Sequence, residues 1–338
     1  MRQRLKSETR KLKKSWMQYD ATLLRDYLIE EAEDPRINIQ SILTRHFLIE
    51  GLFGNRFAAL KQEELRFAVA MNWLDNLLQK SLCADELQEL LYALDKGADN
   101  SGVAQIPHFV SAAYAALPTQ ADGQVIPNYI REALSEKQLE TSKSALAEER
   151  KKQFQQLWRK VLARRRPRRI SVLEPACGSA NDYRFIEAFG LARLVDYRGF
   201  DLCDTNITNA RSLFPDATFD VGNVFEIKSR NKAFDYCFVH DLFEHLSLEG
   251  METAIAVICR VTRKGICASF FNMAEVDEHL VRPVDDYHWN TLSMERTRES
   301  FCQHGFSVQV IHIGAFLRWS FQCEQNYNPG AYTFVVTK

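Results

Sequence analysis

Apolar residues recur at intervals of three and four through much of the first 117 positions. The pattern is clearest at 23–28, 39–48 and 65–78, and Asp34-Pro35 separates the first stretch from the second. This spacing places apolar side chains on one face of an α-helix. We therefore predict an all-α N-terminal domain over residues 1–134, which binds substrate, covers an active site or dimerises.

Residues 118–134 contain two prolines and a glycine and are typical of a connector. Ser135 and Gln138 then form a capping-box pattern, which predicts a helix that runs to about Leu162. We place the start of a second domain at this helix, so that the second domain covers residues 135–338.

From Ile170 onwards the pattern changes to short apolar runs that alternate with helical periodicity, which is typical of a doubly wound parallel sheet. Phe185, Ile186 and Phe189 form the buried face of the first predicted crossover helix, and Gly190 follows as its stop. Two β-rich runs at 306–316 and 332–336 close the chain. We expect them to form the last two strands.

The first predicted strand ends on Glu174 and passes into a run of small residues. Ala176, Gly178 and Ala180 occupy the tight positions, which allows a ligand to approach the backbone. The helix predicted after them presents backbone N–H groups to a carboxylate or phosphate. The dinucleotide motif G-x-G-x-x-G is absent, so the pattern indicates a different nucleotide cofactor.

A second short strand ends on Asp201, twenty-three residues after Gly178, where an acid can bind the ribose hydroxyls of an adenosine cofactor. Three further segments follow in order, at 217–225, 233–241 and 264–270. Together these five segments resemble the class I, Rossmann-like S-adenosylmethionine (SAM) methyltransferases, over roughly residues 155–338. The first motif of that family is acid-x-G-x-G-x-G, and alanine replaces two of its three glycines here.

This resemblance implies an α/β fold with a mostly parallel seven-stranded sheet and a C-terminal antiparallel hairpin. It also implies SAM as the cofactor. The cofactor-binding residues that it implies are Glu174, Ala176, Gly178, Asp201, Leu202, Asn223, Val224 and His240.

The segment after the fourth strand contains Asp241, Glu244 and His245, which would share one face if a helix began at Asp241. His288 follows forty-three residues after His245. The set resembles a motif of ubiquinone-biosynthesis-type O-methyltransferases and small-RNA 2′-O-methyltransferases. In the RNA enzymes it holds a divalent cation, so the resemblance implies a site for Mg²⁺, Mn²⁺ or Zn²⁺ at these four residues.

A second interpretation of this segment involves no metal. His245, His288 and Asp241 are then the catalytic candidates, because a hydroxyl acceptor must lose its proton to attack a methyl donor and a neutral imidazole can take it. In that case Glu244 caps a helix. The sequence leaves both interpretations open.

The 338-residue chain has a formal net charge of −1, which predicts no general attraction to nucleic acid or membrane. It has no run of eighteen apolar residues, and its eight cysteines form no C-x-x-C pair, so we expect a reduced, cytoplasmic protein. The basic run at 164–169 is either a phosphate-binding patch or, as we favour, a solvated helix end.

These observations favour methylation of a hydroxyl on a small molecule. One alternative is an RNA methyltransferase, and another is a non-catalytic protein that binds SAM or a partner. A homodimer through the N-terminal helices is a further expectation.

Overall fold

The computed structural model describes residues 2–16, 34–78, 136–165, 168–321 and 327–338. The chain divides into two compact units. The first comprises Met1–Phe57, Leu162–Ile313 and Asn328–Lys338, and the second comprises Ala58–Val161 and Gly314–Tyr327. This division differs from the boundary that we predict at 134/135, because helices near the start of the chain pack on the sheet. None of the helices in the described part is both long and apolar enough to cross a membrane.

The first unit is built on a seven-stranded sheet, whose strands are β1 (Ile170–Pro175), β2 (Val195–Asp201), β3 (Thr218–Val221), β4 (Phe234–His240), β5 (Thr262–Phe270), β10 (Ser307–His312) and β11 (Tyr332–Thr337). They lie in the order β10-β11-β5-β4-β1-β2-β3. Strands β1 to β5 pair in parallel, and β11 is antiparallel to both β5 and β10. This confirms the predicted Rossmann-like fold and its C-terminal hairpin.

Helices and short turns connect these strands. The helices of this region are α5 (Tyr183–Ala188), α6 (Asp204–Leu213), α7 (Leu248–Val261) and α8 (Met294–Gln303). Short 3₁₀ turns lie at Gly54–Phe57, Ala192–Leu194, Val224–Glu226 and Phe243–His245. Between β5 and α8 the chain forms four two-residue strands, which are β6 (Met273–Ala274), β7 (Pro283–Val284), β8 (Tyr287–His288) and β9 (Leu292–Ser293).

The core of the sheet lies where sequence periodicity predicts it. Val172 and Leu173 of β1 are buried, and Phe185, Ile186 and Phe189 are buried on the first crossover. Gly190 follows with a φ of 77°, in the left-handed region that ends helices. The strand that we predict over 306–316 is shorter, since β10 ends at His312. Helix α9 (Ile313–Phe321) begins directly after it.

Helices α1 (Arg2–Trp16) and α2 (Ile39–Phe53) belong to the first unit. Asn38 caps α2 by accepting a hydrogen bond from the backbone N–H of Ser41, and Gln40 donates to the carbonyl of Tyr332 on β11. On α1, Leu5 is buried in the core of the sheet, and Leu12 packs against the same core. The basic start of the chain is therefore an amphipathic helix with one docked face.

The second unit contains α3 (Ala58–Leu78) and α4 (Glu136–Ala163), whose last residues belong to the first unit. Helix α4 confirms the helix predicted to run to about Leu162. Trp158 is fully buried and donates from Nε1 to Glu64, and the ring of Phe67 packs against that of Phe154. The predicted helix at 23–28, the connector 118–134 and the cap at Ser135 lie outside the described residues.

Candidate functional site

The tight turn after β1 adopts left-handed backbone at three alternating positions. The φ angles are 54° at Ala176, 53° at Gly178 and 72° at Ala180. An L-residue with a Cβ is disfavoured in this region by roughly 1–2 kcal/mol, so the two alanines adopt the conformation at a cost that glycine would avoid. The turn therefore has the shape expected of the glycine-rich motif even though two glycines are missing.

Asp201 lies at the end of β2 and ties this turn to the second strand. One carboxylate oxygen accepts from the backbone N–H of Gly178 at 3.0 Å, and the other accepts from the backbone N–H of Cys203 at 2.8 Å. Burial raises the pKa of Asp201, and these hydrogen bonds oppose the rise. The oxygen that accepts from Cys203 also lies 3.5 Å from the amide nitrogen of Asn206, whereas the oxygen that accepts from Gly178 retains capacity for one ligand hydroxyl.

Glu174, at the end of β1, is buried and accepts a 2.5 Å hydrogen bond from the hydroxyl of Tyr197. Burial, followed by the charge of Asp182, raises the pKa of Glu174 well above its usual range. A role in cofactor binding for this side chain therefore remains a prediction.

The predicted adenine-side residues lie at the end of β3. Asn223 caps the 3₁₀ turn by accepting from the backbone N–H of Phe225, and its amide donates to the hydroxyl of Thr9 on α1. Val224 is buried, and Leu202 is half-buried after β2. The order of the strands brings these residues to the same edge of the sheet as Asp201 and Gly178.

His240 at the end of β4 is held by two side chains that the sequence analysis missed. Its Nδ1 lies 2.9 Å from Asp182, and its Nε2 lies 2.8 Å from the hydroxyl of Thr44 on α2. Burial alone would lower the pKa of His240, but the charge of Asp182, its hydrogen bond to the ring and the charge of Asp241 together outweigh burial, and the net shift of the pKa is upward. Because the two partners are far apart in sequence, no local pattern could have identified them.

The segment after β4 is not the helix that would place Asp241, Glu244 and His245 on one face. Asp241 has a φ of 47° and is exposed, and the chain then makes a 3₁₀ turn over Phe243–His245. The left-handed residue turns the backbone before the 3₁₀ turn begins. Glu244 consequently points into the protein, whereas Asp241 faces solvent.

The carboxyl of Glu244 is fully buried and holds the chain beyond β5. One oxygen accepts from the backbone N–H of Phe271 at 2.9 Å and lies 3.4 Å from that of Asn272. Burial, and then the charge of Asp241, raises the pKa of Glu244 to about 8. Glu244 therefore acts as a structural tie rather than as a cap of its own helix.

His245 is partly buried among aromatic rings. Its ring centroid lies 5.4 Å from that of Phe271, 5.9 Å from that of Tyr287 and 5.4 Å from that of Trp289. Its Nδ1 lies 3.2 Å from the carbonyl oxygen of His288, and burial lowers its pKa. A carbonyl can only accept, so Nδ1 carries the proton of a neutral ring and Nε2 keeps its lone pair.

The structure does not support the metal interpretation of these residues. In the described part of the chain, no group of three or more His, Cys, Asp or Glu side chains is placed to hold an ion. Glu244 is engaged by two backbone N–H groups, and His288 meets His245 through its carbonyl rather than through its ring. Among its described residues, the structure therefore brings together no ion-binding group from the four predicted ligands.

The basic run is partly engaged within the protein. The guanidinium of Arg165 lies over the rings of Phe53 and Phe57, and Arg169 pairs with Asp196 and donates to the carbonyl of Val195. These contacts favour the helix-end interpretation over a phosphate-binding patch.

The described cysteines are thiols: Cys177, Cys203, Cys237, Cys259, Cys267 and Cys302. Cys83 and Cys323 lie outside the described residues.

Residues 172–265 match the family model of a methyltransferase domain. Similar solved structures include an S-adenosylmethionine-dependent methyltransferase from Mesorhizobium loti, with 13% identity, a TM-score of 0.41, and coverage of 51% of this chain and 92% of that one. Another is the complex of the Haloferax volcanii Trm112 methyltransferase activator with a putative methyltransferase, with 15% identity, a TM-score of 0.39, and coverage of 53% and 88%. No curated protein matches the chain.

The matched segment begins in β1 and ends in β5, and so contains the left-handed turn, Asp201, Asn223 and His240. The strand order places these elements at one edge of a mostly parallel sheet. The similarity to a methyltransferase domain therefore lies in the part of the chain that forms the parallel strands and carries these residues.

Proposed function

We propose that this protein is a SAM-dependent methyltransferase whose acceptor is a hydroxyl on a small molecule, placed beside His245. The observation that carries the proposal is the connection between Asp201 and the left-handed turn. A single carboxylate at the end of β2 holds the backbone N–H of Gly178, and the oxygen that does so keeps capacity for a ribose hydroxyl.

We assign the cofactor site to the residues at this edge of the sheet. Ala176, Gly178 and Ala180 keep side-chain bulk away from the backbone where the methionine part would lie. Asp201 would accept from the ribose hydroxyls, and Asn223 and Val224 would lie beside the adenine. His240 would position the methionine end of the site through its hydrogen bonds to Asp182 and Thr44.

We assign the acceptor site to the Nε2 side of His245. Bound SAM supplies the methyl group, and the acceptor oxygen must lose its proton as it attacks. Nε2 can take that proton because Nδ1 donates to the carbonyl of His288 and so determines the tautomer. The rings of Phe271, Tyr287 and Trp289 restrict water around His245, and most of the rate would come from orientation of the two reactants. His288 and Asp241 would line this site without taking the proton.

Calorimetry with SAM and S-adenosylhomocysteine (SAH) tests the cofactor part. Asp201→Asn should weaken SAH binding at least tenfold, because either orientation of the amide turns its NH₂ group towards the backbone N–H of Gly178 or of Cys203. Asp220→Asn is the matched control, since Asp220 forms a surface pair with Arg198 next to the same strand. Failure of the wild-type protein to bind either compound would refute the proposal.

Transfer of a labelled methyl group from SAM tests the acceptor part. We expect the label in small molecules as an alkali-stable methyl ether, and we expect His245→Ala to abolish transfer while SAH affinity stays unchanged. If the label appeared in RNA, the protein would still be a methyltransferase, but the proposal of a small-molecule acceptor would fail. Binding of SAM without transfer to either pool would favour the non-catalytic alternative.

A further inference from the structure

Helix α1 contacts both the cofactor edge of the sheet and the acceptor-side turn. Leu5, Glu8, Thr9 and Leu12 lie at helical spacing on one face, with Leu5 buried and Leu12 packed on the core. Lys6, Ser7, Arg10 and Lys11 lie outside this face and are exposed. Leu5 and Leu12 therefore hold α1 on the core through the same face that makes its polar contacts.

Glu8 binds the start of α7. Its carboxylate accepts from the backbone N–H of Ser247 and from the hydroxyl of Ser247, each at 2.6 Å. Ser247 is the N-cap of α7, and its hydroxyl accepts from the backbone N–H of Gly250 at 3.0 Å. An anionic group at a helix N-terminus is stabilised both by these donors and by the helix dipole.

Gly250 is the residue on α7 that leaves room for the carboxylate of Glu8. A Cβ at this position would lie 2.9 Å from one carboxylate oxygen of Glu8 and 3.0 Å from the other. Glycine is unfavourable inside a helix by about 0.5–1 kcal/mol relative to alanine, and its backbone here needs no left-handed angle. The space that Gly250 leaves is filled by the carboxylate of Glu8.

The same helix reaches the cofactor edge through Thr9 and Lys13. The hydroxyl of Thr9 accepts from the amide of Asn223 at 3.0 Å, and Lys13 pairs with Asp204 at 3.1 Å. Asp204 begins α6, three residues after Asp201. Ser247 follows the turn that carries His245, so α1 joins the adenosine end of the proposed site to its acceptor end.

We propose that α1 is a clasp over the adenosine end of the cofactor site and that Glu8 is a positioning residue that holds the clasp closed. This inference rests on the proposed function for the identity of the ligand. The closed clasp keeps Asn223 and Asp204 in place, and cofactor release requires α1 to detach from Ser247.

Two measurements on the full chain test the clasp: hydrogen–deuterium exchange of residues 2–16 with and without SAH, and the dissociation rate of SAH. We expect SAH to slow exchange in this segment. Glu8→Ala should increase both the exchange rate and the dissociation rate at least about tenfold, because two charge-assisted hydrogen bonds are lost. Glu8→Gln retains an acceptor for Ser247 and should restore most of the wild-type behaviour.

Gly250→Ala provides an independent change on the partner side. Its methyl group should displace the carboxylate and reproduce the effect of Glu8→Ala. The double variant Glu8→Ala, Gly250→Ala should then be no worse than either single variant, since both remove the same contact. Arg10→Met, on the exposed face of α1, is the matched control and should behave like the wild-type protein.

Wild-type SAH release in both Glu8→Ala and Gly250→Ala would overturn the inference. Faster exchange of residues 2–16 on addition of SAH would also overturn it, because α1 would then occupy the place of the cofactor. If the wild-type protein does not bind SAH, the proposed function fails. The exchange of residues 2–16 in the unliganded Glu8→Ala variant still decides whether Glu8 holds the helix.

Discussion

Asp235 connects three strands of the sheet, and its replacement should destabilise the protein in a pH-dependent way. One carboxylate oxygen accepts from the backbone N–H of Ser171 on β1 at 3.1 Å. The other accepts from Arg263 at 2.6 Å and lies 3.1 Å from the ammonium of Lys264, both on β5. The side chain is only 8% exposed.

Burial alone would raise the pKa of Asp235, but the hydrogen bond from Arg263, the N–H of Ser171 and the ammonium of Lys264 outweigh it. Together they lower the pKa from 3.8 to about 2. The difference corresponds to about 2 kcal/mol of stability at pH 7. Asp235→Asn should lose about this amount, because either orientation of the amide turns its NH₂ group towards a donor.

The pH dependence follows from the direction of the shift. The folded protein holds the proton less tightly than the unfolded chain does, so the contribution is complete above about pH 5 and is lost as the pH falls towards 2. The difference between the wild-type protein and Asp235→Asn should therefore halve at about pH 3.

Urea unfolding followed by far-UV circular dichroism measures this effect. A loss of about 2 kcal/mol lowers the midpoint by about 0.7 M for a slope near 3 kcal/mol/M. Asp220→Asn, in an exposed pair with Arg198, should cost less than about 1 kcal/mol and serves as the control. Equal stability of the two variants, or a difference that persists undiminished at pH 2, would refute the reasoning.

Two further predictions concern the proposed cofactor site. Ala176→Gly should leave the free energy of unfolding unchanged or raise it by up to about 1 kcal/mol, because glycine removes the strain of the left-handed backbone but adds freedom to the unfolded chain. Ala176→Val should instead destabilise the fold, and thermal unfolding distinguishes the two variants. Thr44→Val should cost about 1–3 kcal/mol and lower the pKa of His240, since the buried Nε2 loses its partner. An unchanged histidine titration by NMR in Thr44→Val would contradict the assigned contact.

The sequence by itself determined the class of fold and the order of its elements. Apolar runs such as Val172–Leu173 specify buried strands, and the acids at 174 and 201 mark two strand ends, because these signals are local and depend only on near neighbours in the chain. The same signals located the turn at 176–180. The left-handed backbone at its three alternating positions could not be predicted, since alanine, which occupies two of them, rarely adopts that conformation.

Only the tertiary structure decided which side chains meet. Asp241, Glu244 and His245 suggested a ligand set by spacing, but one left-handed residue followed by a 3₁₀ turn replaces the helix that would have placed them on one face. The partners of His240 come from α2 and from the residue before α5, and the partner of Ser247 lies 239 positions away on α1. Such contacts depend on how elements pack after they form, and no periodicity or motif in one segment encodes the position of another.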